Sequence, residues 1–583
     1  MYGNSDPLSG ESDSSSHQHQ SDDDFNSSSD SGLSGDIVDA IPVHNPEPDR
    51  CSDHHAHTSD SSSSSSPMYR SDADENDEDD DAAALPQYPA ASGSNEAEDP
   101  PKHAHAFMAT RPIPLLFMQF SVPVGFGLLV SMAYSIADMA LVGHASTGGD
   151  MAMAAIGLFY PLESMAAGIG TGLGTGLNAG LSQALGEQDY PKACRTIGNA
   201  ILMALAIFIT YPAALFFLLP RFLMISGAND DIMAHALPYG RILLACAFAQ
   251  GIFIMTNNLL RADGKPNVAM ASMTASAAIN ITLDVVLIFG FGLGTTGCAI
   301  ATVIGQGLPS AIILAYFTFF SKTGVRIRLS SFKPDLRLMW HIFLVGISLF
   351  VQRIGQSIKL FVMNVMFERI ISSDEIGYYL AANQSVSRSY LLLFVPLMAV
   401  GQGALPLVGY CYGSHRYKRL SQTIAFSVLT GIALGLAAWV IVLLFPRLYL
   451  RIFTDDPHTI AIGTTFARIY CLAFFVVGFQ SPVTLVFMAI KLSPLGMIVM
   501  LTRHVLVGTP LMVVLGLTIG TPEAVIAASP IGDLIAASLC VLMSGIAVWH
   551  LVRRARLHRA QVLKTAPHSE LEMLKALAED DRA

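Results

Sequence analysis

From about Ile113 onward, long apolar stretches alternate with short polar breaks, and the stretches reach the roughly 20 residues that a helix needs to cross a bilayer. The pattern predicts helices near residues 113–142, 152–184, 193–219, 232–260, 268–292, 297–320, 338–370, 377–411, 419–445, 459–489, 495–519 and 524–552, about twelve spans. Basic side chains fall on alternate connections: Lys102 and Arg111, Lys192 and Arg195, Arg261 and Lys265, then Lys322, Arg326, Arg328, Lys333 and Arg337. They continue with Arg416, Lys418 and Arg419 and end with Arg553, Arg554, Arg556 and Arg559, while the other connections hold little beyond Arg221, Arg369, Arg447 and Arg451. Loops rich in Lys and Arg stay on the cytoplasmic side, so both termini are expected there, in agreement with an even number of crossings.

The second half of the pattern repeats the first. GTGLNAGLSQALGEQDY (residues 174–190) lines up with GQGALPLVGYCYGSHRY (residues 401–417) at an offset of 227, matching Gly174, Gly176, Gly186 and Tyr190 with Gly401, Gly403, Gly413 and Tyr417. The offset persists where GRI at residues 240–242 meets ARI at 467–469, and Pro220 with Arg221 meets Pro446 with Arg447 one residue out of step. Six spans per copy mean that both copies enter the membrane from the same side. The expected fold is therefore an all-α membrane protein of two six-helix lobes related by an axis along the membrane normal, with substrate between lobes that rock. The expected segments are a tail over residues 1–105, an N-terminal lobe over 106–325, a C-terminal lobe over 326–553 and a basic, then acidic, cytoplasmic tail over 554–583.

Composition supports a membrane protein: 52% of the 583 residues are hydrophobic and only 14% are charged. The net charge of −12 hides two opposed parts, because 24 of the 46 acids lie in the first hundred residues, against Arg50 and Arg70 alone. The remaining 22 acids face 32 bases, so the body is net basic. The tail, with serines at 61–66 and DADENDEDDD at 72–81, has too few large apolar residues to offset the entropy of ordering and reads as disordered. It lacks the basic and apolar regions of a secretory signal. His54, His55 and His57 form a tract suited to adventitious metal capture. Cys51, Cys194, Cys246, Cys298, Cys411, Cys471 and Cys540 stand far apart and read as small apolar packers.

Glycines recur every four residues at Gly168, Gly172, Gly176 and Gly180, a spacing that lets two membrane helices touch backbones; a phosphate loop would need a preceding strand. Polar groups within the spans carry more information, because ionisable side chains inside a membrane are expensive to hold there. Asp138 closes a run from Ile113 to Ala137 that contains no charged residue. Asn280 and Asp284, four apart in the fifth span, share one helical face. Thr302 in the sixth span and Tyr239 in the fourth fall at similar depth, about 8–12 Å from their outer ends at 1.5 Å per residue. Two carboxylates, an amide, a hydroxyl and a phenol can hold Na⁺ or share a proton. A helix begun at Ile113 reaches about 36 Å by Asp138, so this acid also fits a cap in contact with water. Pro123, in mid-span, removes a backbone hydrogen bond and allows the helix to bend, moving Asp138 relative to Asp284.

The second lobe lacks this constellation. Asn364 falls near the repeat position of Asp138, and the seventh span places Gln352, Gln356 and Lys359 on one stripe beside Arg353, with Arg388 on the eighth. Such cations suit a polar or anion-tolerant cavity wall, or else bond helix-end carbonyls or pair with Glu368.

SIADMALVGH (residues 135–144), LRADGKP (260–266) and NITLDVVLIFGFGLGTTGCAIATVIGQ (280–306) resemble the multidrug and toxic compound extrusion (MATE) transporters, over nearly the whole body from about Ile113 to Trp549. The resemblance implies a cation or proton site at Asp138, Tyr239, Asn280, Asp284 and Thr302, with Na⁺ at Asp138, Asn280, Asp284 and Thr302 as the only metal, and Pro123 as the bending proline. Some members carry a second acidic site in the C-terminal lobe. Here Gln356 and FQSPVT (479–484) stand in its place, and GQGALPLVGYCYG (401–413) resembles the bacterial branch that relies on the first lobe.

The expected function is an inner-membrane antiporter exporting drugs or other amphipathic organic solutes in exchange for H⁺ or Na⁺, monomeric, without a cofactor or a nucleic-acid partner. A flippase for lipid-linked or polysaccharide precursors is the rival, since Arg353, Lys359 and Arg388 would suit a phosphate-bearing head group. A membrane enzyme would need a nucleophile with a base or a metal triad, whereas His341 and His504 stand alone in the sequence. The acidic tail could bind a basic partner.

Overall fold

A backbone in hydrocarbon must bond to itself, and helix is the arrangement that lets one segment do so alone. The computed structural model describes residues 105–144, 149–226, 229–372, 375–451 and 456–565, all within one unit, Ser94–Ala583, and these residues form helices with short connections and no strand. Nine described helices are long and apolar enough to cross a membrane, and two bent pairs raise this to eleven. The glycine-rich helix Gly149–Gly186 is 38 residues long, and it fills the second position of the expected twelve. Side-chain caps start several spans: Asp189 accepts from the Lys192 amide at 2.9 Å, and Asp335 from the Arg337 amide at 2.9 Å.

The first span is Ile113–Gly143, the third Tyr190–Phe216, the sixth Gly294–Phe320, the seventh Leu336–Ile370, the eighth Ile376–Gly413 and the ninth Tyr417–Leu444. Two repeat-related pairs depart from straight helices. The fourth span is Asp230–Ala245 followed by Ala247–Ala262 at 50°, and the tenth is Pro457–Tyr470 followed by Phe474–Ala489 at 56°. The fifth span, Pro266–Gly290, and the eleventh, Ser493–Ile519, each contain a π-helical turn, Val285–Gly290 and Thr502–Leu506. The twelfth does not end near residue 552. Its helix, Pro522–Thr565, carries the first basic part of the expected C-terminal tail, and there Arg554 lies 4.6 Å from the Tyr412 ring centre.

Contact between the halves runs through the first and second spans against the seventh and eighth, and the second packs most extensively on the seventh. Glycine makes this approach possible. A Cβ at Gly172 would lie 2.6 Å from the Gly346 carbonyl oxygen, and one at Gly176 would lie 2.7 Å from that of Ile342. Near the end of the seam, a Cβ on Gly186 would run into the carbonyl oxygen of Tyr410, and one on Gly413 into that of Gln183. These two contacts exchange under the offset of 227, so the repeat is expressed as a local two-fold. Gly409 against Ser182 lies between them and is its own mate. Every residue from Gly172 to Gly186 is buried, as is every residue from Gly403 to Gly413, whereas burial thins toward the opposite ends of both helices.

Polar contacts bolt the same end. The Gln183 amide donates to the Ala489 carbonyl at 2.6 Å, and Arg261 donates to Gln402. Arg416 and Arg419 donate to the carbonyls of Ala109 and Met108 at 3.1 and 3.2 Å, tying the segment before the first span to the far lobe. That segment is also held from its own side, where His105 Nε2 lies 3.1 Å from Asp263, which accepts from Lys265 at 2.6 Å.

The second lobe buries an ion pair that corrects one expectation. Lys359 is not on an open wall with Gln352 and Gln356: it is 6% exposed, with its ammonium 5.6 Å from the Tyr470 ring centre. The acid that faces it electrostatically is Asp533 of the twelfth span, and Glu368 lies exposed. Asp533 accepts from Arg503 at 2.7 and 3.3 Å, and Arg503 also donates to the Tyr390 hydroxyl at 2.6 Å. His504 is buried beside them, with neither ring nitrogen bonded among the described residues.

The long acidic tail, with its serine run, the His54, His55 and His57 tract and Cys51, lies outside the described residues, as do Lys102, Asp455 and the acidic end of the chain beyond Thr565.

Two stability predictions follow from this packing. Gly172→Ala forces the second and seventh spans apart at a cost of about 1–3 kcal/mol from overpacking, so the purified protein unfolds at lower temperature than the parent. Gly157→Ala meets nothing within 4 Å and serves as the control that holds or raises it. Asp533→Asn leaves the Arg503 guanidinium buried without its counter-charge and lowers stability by about 3–5 kcal/mol, read as a drop in apparent melting temperature.

Candidate functional site

The fifth span begins with Pro266 at its first turn and runs as regular α-helix to Asp284, where the π turn starts. One turn before the junction, Asn280 faces the first and sixth spans. Oriented so that both ends of its amide are satisfied, it donates to Asp138 Oδ1 at 2.8 Å and accepts from the Thr302 backbone N–H at 3.3 Å. The Thr302 hydroxyl is 3.4 Å from the amide as well. Asn280 thus positions Asp138 from the first span and is itself positioned by the sixth.

Asp284 differs from Asp138 in its surroundings. It is 0% exposed, and neither carboxylate oxygen has a hydrogen-bond partner among the described residues. Asp138 is half-buried. One ligating atom from each of Asp138, Asp284 and Cys298 lies within 4.8 Å of the others. Tyr239 is buried with its ring 5.5 Å from that of Phe159 in edge contact, and both aspartates act on it electrostatically. Asp138, Asn280, Asp284 and Thr302 are therefore brought to one place, and Tyr239 is buried in the same lobe against Phe159.

Two members of this neighbourhood escaped the sequence reading. Glu163 of the second span is a third acid, within electrostatic range of Asp138. It lines a small cavity together with Thr302, Gln250, Gln306, Phe159 and Tyr211. Thr302 is thus shared by this cavity and the aspartate pair, and Gln306 donates to the Tyr134 hydroxyl at 3.4 Å on the first span. The signal for Glu163 was available, since it is an acid in the middle of an apolar helix. Cys298 carried none, because a lone cysteine in a membrane span reads as packing.

Pro123 is buried, and the first span continues through it as one 31-residue helix. Its missing N–H leaves the Gln119 carbonyl without the usual partner four residues on. In the second lobe, Gln352, Arg353 and Gln356 are half-buried, Arg388 is exposed, and Asn364 accepts from Asn383 at 3.3 Å. Of these, Arg353 reaches the lobe seam, 3.5 Å from where a Cβ on Gly168 would stand. The structure gathers the second lobe's buried charges around Arg503 and Asp533 instead.

Comparison with known proteins places this geometry. The family model described as MatE matches twice, over residues 123–286 and 349–514, and the two matches start 226 residues apart and end 228 apart. Multidrug export protein MepA of Staphylococcus saprophyticus is 26% identical over 360 residues, which cover 60% of this chain and 76% of that protein. MepA of Staphylococcus aureus is 25% identical over 372 residues, covering 63% and 77%. Among solved structures, an outward-facing multidrug resistance MATE family transporter of the MOP superfamily superposes with a TM-score of 0.71 at 22% identity, over 78% of this chain and 100% of that one. A MOP superfamily transporter from Pyrococcus furiosus, described as having a binding pocket of reverse polarity, gives the same score and identity over 78% and 99%. With more than half of its length matched by one family model, one match to each half, the chain belongs to the MATE family of transporters.

Proposed function

We propose that the protein is a multidrug efflux antiporter of the bacterial inner membrane, exchanging organic solutes for H⁺ or Na⁺ at the aspartate pair of the N-terminal lobe. The observation that carries this is Asp284: a fully buried carboxylate a few ångströms from a second carboxylate, with the Cys298 thiol beside both. An ionised carboxylate in that setting is costly unless a proton or a metal cation joins it. Hard oxygen donors from Asp138, Asp284, Asn280, Thr302 and Tyr239 suit Na⁺ as well as H⁺.

Coupling requires that the cation bind differently in two conformations. The sealed end of the seam carries Arg416, Lys418 and Arg419 beside Lys192 and Arg195, which the distribution of basic residues assigns to the cytoplasm together with both termini. The conformation described is then closed toward the cytoplasm, and the aspartate pair is set to load from outside. Loading would act through the first span, where Asp138 and the unbonded carbonyl before Pro123 share one helix. Drug release outward and rocking of the lobes follow as the cation shifts the balance of states.

The MepA proteins, described as multidrug exporters, support the substrate class. A flippase of phosphate-bearing lipids draws less support, because Lys359 is enclosed within the lobe and is not offered to a head group.

In cells that express Asp138→Asn, export of a fluorescent drug should fall to the level of cells without the protein while membrane abundance is kept. Export at the parent rate would remove Asp138 from the coupling role.

A further inference from the structure

The aspartate pair has a neighbour that a site built only for a hard cation does not require. Cys298 is the fifth residue of the helix that starts the sixth span at Gly294, and it is 2% exposed. Its sulfur lies within 4.8 Å of an oxygen of Asp138 and an oxygen of Asp284. We propose that Asp138, Asp284 and Cys298 form a binding site for a thiophilic divalent metal ion of the Zn²⁺ or Cd²⁺ class. This concerns the pocket assigned to the coupling cation but rests on its donor set and not on that assignment.

The chemistry of the donors supports the proposal. One thiolate and two carboxylates are ligand types that zinc takes, leaving a fourth tetrahedral position for water. Bond lengths of about 2.0–2.3 Å put tetrahedral donors roughly 3.5 Å apart, so the three atoms must draw together by about 1 Å or a little more. On Asp284 no bond to the rest of the protein has to be broken, because the polar groups beside its carboxylate are the other two ligands, Asp138 and Cys298. It also stands where α-helix gives way to the π turn, and such turns frequently mark functional positions. Asp138 keeps one oxygen on the Asn280 amide, the outer-shell bond that orients a metal-binding carboxylate.

A thiol binds metal as thiolate, so the Cys298 S–H bond gives way to a sulfur–metal bond and its proton is released to water, together with any proton held by the Asp138 and Asp284 carboxylates. No electron is transferred. Three anionic ligands around a divalent ion leave one net negative charge, less than the site would carry with no cation at all. Na⁺ gains little from sulfur, whereas Zn²⁺ and Cd²⁺ gain a strong bond. The thiophilic ion and the coupling cation therefore compete for the same carboxylates and exclude one another.

The test uses the full-length purified protein with Cys51→Ser, which removes the thiol beside the His54, His55 and His57 tract. Titration with Cd²⁺ should raise the ultraviolet sulfur-to-cadmium charge-transfer band to an amplitude of one thiolate per chain. Cys298→Ser should abolish the band, and Asp284→Asn should keep its saturating amplitude but weaken apparent affinity at least about tenfold. The melting temperature of each variant checks that it is folded. A band unchanged by Cys298→Ser, an affinity unchanged by Asp284→Asn, or no band in the folded parent would overturn the proposal. None of these results bears on whether a pH or Na⁺ gradient drives drug transport, so the two readings fail separately.

Discussion

A carboxylate buried in an apolar helix bundle beside a second carboxylate is costly to hold ionised, and Asp284 is in that position. The surrounding lobe is arranged around this carboxylate. Asn280 spends its amide on Asp138 and on the Thr302 backbone, so it fixes the other acid without relieving Asp284. Tyr239 is packed against Phe159, and Glu163 adds a third carboxylate across the shared Thr302 wall. On the proposed reading, the free energy of this pocket depends on what cation occupies it, which is the property a coupling site needs.

The second constraint is mechanical. The lobes approach most closely where glycine leaves no side chain, and backbone meets backbone at Gly172 and Gly346. The exchange of the Gly186 and Gly413 contacts makes this end of the seam locally two-fold. Arginine contacts from the C-terminal lobe to the segment before the first span add a bolt at one end only. Charge is distributed unequally across this symmetry. The N-terminal lobe concentrates acids near its centre, and the C-terminal lobe closes an arginine on an aspartate with a lysine nearby.

Much of this was legible in the sequence. Span number and the repeat followed from hydropathy and from four matched glycine and tyrosine pairs, because the period of a membrane helix leaves few alternatives. That Asp138, Asn280, Asp284 and Thr302 lie close together was legible because polar groups at matched depths are rare in apolar helices. The bends at Cys246 and at residues 471–473 were hidden, since no proline or glycine marks either break and apolar composition continues across it. Lys359 was misplaced because its stripe with Gln352 and Gln356 is real along one helix, while its neighbour Asp533 is remote in sequence. The same distance hid the pairing of Arg503, and Cys298 acquires meaning only beside two carboxylates that come from other helices.

The most direct measurement is drug movement by the purified protein in liposomes, under an imposed pH gradient or an imposed Na⁺ gradient, with the drug gradient set to zero. The account predicts that one of the two gradients drives the drug uphill in the opposite direction. Drug movement that ignores both gradients, with the protein folded and inserted, would contradict it.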